Sequence, residues 1–139
     1  MSYNTTLKII NDSGDTLKII EKTCQDGSSW YGDESTGDQH LVQASSGTSG
    51  CLRFEAGNGE KFLVATGVHN YKRWSSILVD LNGSQTAMKI HPTYYGSGHD
   101  KPLWDQLPEI TKATAKGRTV GIYYYKPDGN DLRAVVTYA

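Results

Sequence analysis

The chain has 139 residues, and its 15 acidic and 14 basic side chains leave a formal charge of −1. Such a balance excludes the basic excess of a nucleic-acid binder and simple electrostatic docking on anionic membranes. No apolar run approaches the ~20 residues of a membrane span, and the two cysteines, Cys24 and Cys51, are too few for a zinc site and are expected to be free thiols.

Taken in order, the chain opens on Met1-Ser2-Tyr3-Asn4 with no basic segment and apolar run behind it. The expectation is therefore no signal peptide, and a cytoplasmic protein or one released without the usual export route. Residues 5–11 and 16–22 read as a hairpin about Asp12-Ser13-Gly14-Asp15. Asp26-Gly27-Ser28-Ser29 reads as a turn before Trp30, and residues 31–39 as a polar surface loop containing the adjacent acids Asp33-Glu34. A short strand is expected at Leu41-Val42, then a small-residue loop from Ala44 to Gly50. Residues 51–56 form a strand with Leu52 and Phe54 on one face and Arg53 and Glu55 on the other, and Gly57-Asn58-Gly59 is a hairpin signal.

The strand over 61–69 places Phe62, Val64 and Val68 on one face and Leu63 and Ala65 on the other. It leads into Gly67-Val68-His69-Asn70-Tyr71-Lys72-Arg73-Trp74. Beyond it, Tyr71, Trp74, Leu78 and Leu81 recur at helical spacing, and Asn82-Gly83 is a helix stop. The reading is a strand running into a helix, with Asn70 as the cap and free backbone N–H groups at the corner.

Residues 86–91 read as a strand stopped by Pro92, and Asp100 as the cap of a short helix ended by Pro108, with Trp104 and Leu107 facing inward. Residues 117–125 form a strong strand with Val120, Ile122 and Tyr124 on one side. After the turn Lys126-Pro127-Asp128-Gly129-Asn130, the alternation Leu132, Ala134, Val136, Tyr138 is the returning strand. Many short strands joined by turns make the fold class mainly β, a β-sandwich in one domain over residues 1–139.

Motifs with a catalytic mechanism are missing. Gly47-Thr48-Ser49-Gly50-Cys51 lacks the last glycine of a nucleophile elbow, and Gly57-x-Gly59 lacks the third glycine of a dinucleotide loop. His40, His69, His91 and His99 have no metal spacing, so no metal and no cofactor are expected. What remains is polar loop chemistry. Sugar hydroxyls need donors and acceptors together, which Asn, Ser and main-chain groups supply, and an aromatic face covers the apolar side of a pyranose. Ser46, Gly47, Asn70 and Tyr71 have that chemistry, with His69 beside them. Singly, each has a plainer use: a turn for Ser46 and Gly47, a helix cap for Asn70, core for Tyr71, a strand end for His69. Trp74 and Trp104 read as core anchors.

Ser46-Gly47-Thr48-Ser49-Gly50 with Leu52-Arg53-Phe54, and the long stretch from Gly67 to Trp74, resemble the fungal fruit-body lectin family. Ala115-Lys116-Gly117-Arg118 and Gly129-Asn130-Asp131-Leu132 match later pieces in the same order. The resemblance implies an actinoporin-like β-sandwich of two sheets connected by a helix–loop–helix segment. It implies a non-catalytic, homotetrameric lectin that binds the galactose–N-acetylgalactosamine disaccharide of mucin-type O-glycans in defence, without membrane insertion. It places that site at Ser46, Gly47 and Asn70, with Tyr71 and His69 adjoining. A further family contact falls in the loop before Trp30, shortened here to Gln25-Asp26-Gly27. The family's second site, for N-acetylglucosamine, falls on Ser76, Ile77 and Val79, of which only Ile77 matches, so it is expected to be lost or altered. The other reading of the same sandwich is a pore-forming cytolysin, but that needs a detachable N-terminal helix where residues 5–11 alternate like a strand. A glycan-processing enzyme would need a carboxylate pair.

Overall fold

The computed structural model describes residues 1–25, 27–32, 37–96 and 98–139. Ten strands form two sheets. Strands β1 (Tyr3–Asn11), β3 (Ser28–Gly32), β4 (Gln39–Gln43), β8 (Glu109–Ala113), β9 (Thr119–Lys126) and β10 (Asp131–Tyr138) make a six-stranded sheet in the order β3-β4-β1-β10-β9-β8. Strands β2 (Leu17–Cys24), β5 (Ser49–Ala56), β6 (Lys61–His69) and β7 (Lys72–Leu78) make a four-stranded sheet in that order. Pairing is antiparallel except between β1 and β10, which run parallel from Asn4 opposite Asp131 to Asn11 opposite Tyr138. Between β7 and β8, the edges of the two sheets, lie helix α1 (Ala87–Ile90), a 3₁₀ turn (His91–Tyr95) and helix α2 (Lys101–Asp105). The two-sheet sandwich and its helical connection match the expected fold class.

Alternation along the strands builds two cores. Leu7, Leu52, Phe54, Phe62, Val64, Ile122, Leu132 and Val136 meet between the sheets. Phe62 stacks on Phe54 at 4.8 Å and on Tyr138 at 5.2 Å. Each such side chain contributes about 1.5–3 kcal/mol of burial. The opposite face of β5, β6 and β7 supplies Cys51, Leu63, Ala65 and Trp74, which the helical segment covers with Ala87, Ile90, Tyr94 and Leu103. The four-stranded sheet is therefore buried on both faces along β5, β6 and β7, and the burial of β6 is nearly continuous.

Several expectations change. Residues 5–11 and 16–22 are not a hairpin: β1 and β2 lie in different sheets, and Asn11 shapes the crossing by accepting the Ser13 N–H (3.2 Å) while its amide donates to the Asp15 carbonyl (2.6 Å). The helix expected after His69 is strand β7. Its alternation wins over the helical spacing: Ile77 joins the inter-sheet core, while Trp74 joins the helix-covered one. Asn70 therefore caps no helix. Conversely, the strand expected over 86–91 is helix α1 and the start of the 3₁₀ turn. Thr86 caps it by accepting the Lys89 N–H, and the Glu21 carboxylate accepts the Ala87 and Met88 N–H groups at 2.7 and 3.0 Å. Asp100 precedes α2, but its side chain makes no cap hydrogen bond. Trp104 and Leu107 do not face inward; they are 63% and 48% exposed. Strands β3 and β8 were not anticipated, and β3 takes in Tyr31 and Gly32 from the expected loop. The pair Asp33-Glu34 lies outside the described residues. Cys24 and Cys51 are free, one exposed and one buried.

Glu60 ties the far end of the sandwich together. Its carboxylate accepts Tyr138 Oη (2.8 Å), Asn58 Nδ2 (3.2 Å) and the Lys116 N–H (3.3 Å). Burial raises its pKa, but hydrogen bonds from Thr114, Tyr138, Asn58 and Lys116 outweigh that and hold it below the ordinary 4.5. A carboxyl with a lowered folded value contributes stability that is complete above its unfolded value and is lost as pH falls through the folded one. Chemical denaturation from about pH 5 to 3 should therefore show a steeper loss for the wild type than for Glu60→Gln; parallel curves would remove Glu60 as a source of acid sensitivity. Gly67 gives a second test. A Cβ there would lie 2.6 Å from Trp74 Nε1 and 2.7 Å from Ser49 Cβ. Gly67→Ala should cost about 1–3 kcal/mol of stability, read as a lowered urea midpoint.

Candidate functional site

Hairpin β6–β7 closes through His69 paired with Lys72, leaving a two-residue turn at Asn70 and Tyr71. Both have positive φ, 50° and 64°, as a type I′ turn requires. Asn accepts that region readily; Tyr does so at a cost of about 1–2 kcal/mol. The turn is held from outside. The Tyr71 N–H donates to Ser46 Oγ at 3.0 Å. The Gly47 N–H donates to the Val68 carbonyl at 2.8 Å, and the Val68 N–H to the Thr48 carbonyl at 3.0 Å. Gly47 turns at φ 87°, with open space where a Cβ would stand.

Loop 44–48 is itself fastened. Thr48 Oγ1 donates to the Ser45 carbonyl at 2.8 Å, and Gln43 Nε2 to the Thr48 carbonyl at 3.2 Å. The Ala44 N–H donates to the Gly27 carbonyl at 2.7 Å, so the loop before Trp30 abuts the same place; Asp26 lies outside the described residues.

The fold thus brings Ser46, Gly47, Asn70 and Tyr71 together from two loops far apart in sequence, with His69 at the strand end beside them. It does so differently from expectation. The free backbone donors of a helix start do not exist here, because the Tyr71 and Gly47 N–H groups are already engaged. The open chemistry lies in side chains. Asn70 is exposed and its carboxamide has no partner among the described residues. Ser46 Oγ accepts from Tyr71 and keeps its own O–H to donate. Tyr71, expected as core when read singly, is 78% exposed.

Two residues missed as site candidates adjoin this cluster. Gln106 Nε2 donates to the His69 carbonyl at 2.7 Å, and the Gln106 carbonyl accepts Arg73 Nη1 at 2.9 Å. Trp104 meets the His69 ring edge-on at 4.6 Å and 78°. His69 Nε2 is buried without a partner among the described residues, which costs about 1–3 kcal/mol for a neutral group. Pro102 and Pro108 mark a short helix in the sequence, but only the packing of Leu103 inward shows that Trp104 must turn out.

The residues of the expected second site are placed otherwise. Ser76 is buried and its Oγ accepts Tyr94 Oη at 2.9 Å. Ile77 belongs to the inter-sheet core, and Val79 packs against it. A cleft of about 380 Å³ opens between β7, β8 and α2, with Ser75, Ser76, Ile77, Lys101, Asp105 and Lys112 on its walls. On the other side of the helical segment, a cleft of about 470 Å³ includes Thr23, Cys24, His91 and Tyr95. Beneath it His91 bonds Thr23 Oγ1 and Ser49 Oγ, each at 2.8 Å, and burial holds its ring below the usual imidazole range. Among the described residues, no group of three His, Cys, Asp or Glu side chains gathers to hold a metal.

Comparison with known proteins agrees with this architecture. The family model described as fungal fruit body lectin matches residues 1–136. The Boletus edulis lectin is 36% identical, over the whole of both chains. The crystal structure of the wild-type Xerocomus chrysenteron lectin superimposes with a TM-score of 0.94 at 38% identity, covering 100% of each chain. A mutated form of that lectin gives the same score at 37% identity, covering 100% of this chain and 99% of its own. The chain belongs to the fungal fruit body lectin family and is a non-catalytic carbohydrate-binding protein.

Proposed function

We propose that this lectin recognises glycans of the galactose and N-acetylgalactosamine type, including the core disaccharide of mucin-type O-glycans, at the cluster Ser46, Gly47, Asn70 and Tyr71, with His69 adjoining. The observation that carries the reading is the knitting of loop 44–48 to the β6–β7 turn, which brings the Ser46 hydroxyl to a turn whose Asn70 carboxamide has no partner among the described residues. A carboxamide both donates and accepts, as a sugar hydroxyl does. Uncharged groups suit a neutral sugar. Gly47 leaves its surroundings open for close approach of a ring.

The second site, at Ser76, Ile77 and Val79, is lost or altered. Ser76 already serves Tyr94, and Ile77 and Val79 offer no polar side chain. The homotetramer, the defensive role and the cytoplasmic location follow the family resemblance and belong to the same proposal. So does the lack of membrane insertion: β1 is paired on both sides, with β4 and β10, so it is built into the sheet.

A glycan array with Asn70→Ala as the control tests the main reading. The wild type should bind galactose-type glycans, and the variant should lose about tenfold or more; undiminished galactoside binding in the variant would remove Asn70 from the site. Crystals soaked with N-acetylglucosamine should show no sugar beside Ser76, and one bound there would restore the second site.

A further inference from the structure

Trp104 stands in a place that core packing does not explain. In the five residues of α2, Leu103 is the side chain turned into the core, at 4% exposed, while Trp104 leaves 63% of its surface in water. Trp74 is fully buried and Trp30 half-buried, donating Nε1 to the Thr23 carbonyl at 2.8 Å. Trp104 alone of the three is turned outward, and its one ring contact among the described residues is His69, the residue before Asn70. An edge-on contact at 4.6 Å leaves the rest of the indole open.

The position of that indole is nevertheless fixed. Gln106, two residues on, has a left-handed backbone at φ 51° and bridges the His69 carbonyl and Arg73 through the bonds of 2.7 and 2.9 Å. This bridge ties the end of α2 to both strands of the β6–β7 hairpin. An aromatic ring held rigidly beside a polar cluster loses little freedom when a ligand arrives. A pyranose has one face of C–H groups, whose slight positive charge suits the negative face of an indole, and a rim of hydroxyls.

We infer that Trp104 forms a stacking subsite next to the loop–hairpin cluster: one galactose-type ring sits at Asn70 and Ser46, and the adjoining ring of the core disaccharide lies on the indole. This rests on the galactose-type reading given above and adds to it the residue that receives the second ring. Trp104 comes from a different element than the cluster and meets it at His69, the residue before Asn70.

Titration with methyl galactoside and with the methyl glycoside of galactosyl-N-acetylgalactosamine, followed by calorimetry and tryptophan emission, tests the subsite. In the wild type the disaccharide should bind more tightly and should shift the emission of the exposed indole. Trp104→Ala should lower disaccharide affinity about tenfold, abolish the shift and leave the monosaccharide within about twofold. Trp104→Phe should keep most of the affinity, since a smaller ring still stacks. Equal disaccharide affinity in wild type and Trp104→Ala, while Asn70→Ala still weakens binding about tenfold or more, would overturn the subsite and leave the galactose reading standing. A wild type that binds neither probe would overturn both.

Discussion

Val68 is the joint on which the candidate site depends. Both its main-chain groups point out of the hairpin at its tip, the carbonyl to the Gly47 N–H and the N–H to the Thr48 carbonyl. This extends the pairing of β5 with β6 past Ser49 opposite Gly67 and into the small-residue loop. Buried main-chain groups must find partners, so the loop cannot leave without exposing Val68. Ser46 then sits close enough to accept from Tyr71, and two loops that are separate in sequence behave as one surface.

The strain in the turn belongs to the same arrangement. Tyr71 holds a left-handed backbone that its Cβ disfavours, and its hydroxyl-bearing ring is directed into water. Such cost persists only where surrounding contacts over-determine the conformation. Here strand pairing closes the turn from below and Ser46 holds it from the side. Further back, Gln106 grips the His69 carbonyl, so three different segments specify the geometry of a two-residue tip.

Much of this was legible in the sequence, and the failures have physical causes. Strands at the C-terminal end were readable because each alternates cleanly between one core and water, as in Leu132, Ala134, Val136 and Tyr138. Strand β7 was not, because it is buried on both faces; Trp74 serves one core and Ile77 the other, and the polar Arg73, Ser75 and Ser76 are buried beside them, so no exposed polar face marks its period. Its hydrophobics then mimicked helical spacing. Helix α1 was missed for the converse reason. Its four residues are too short to show a period, and its start is fixed by Glu21, far away in the chain. The candidate site residues were readable as a set only through resemblance. Their chemistry was visible in isolation, but nothing local states that Ser46 meets Tyr71. Trp104 shows the limit most plainly: a tryptophan between two prolines reads as core, and only the inward seat of Leu103 reveals the opposite.

The parallel pairing of β1 with β10 has an outcome for how this protein is made. These strands, the first and last of the chain, lie side by side in the middle of the larger sheet. While the ribosome is still at work, β1 can join β4 on one flank but has nothing on the other. The larger sheet closes only when residues near Tyr138 emerge, and contacts this distant in sequence form slowly. Until then the nascent polypeptide carries an unsatisfied strand edge of the kind that invites aggregation. Strand β10 must be made before the sandwich can close, and a cut that removed it would strike the centre of the sheet.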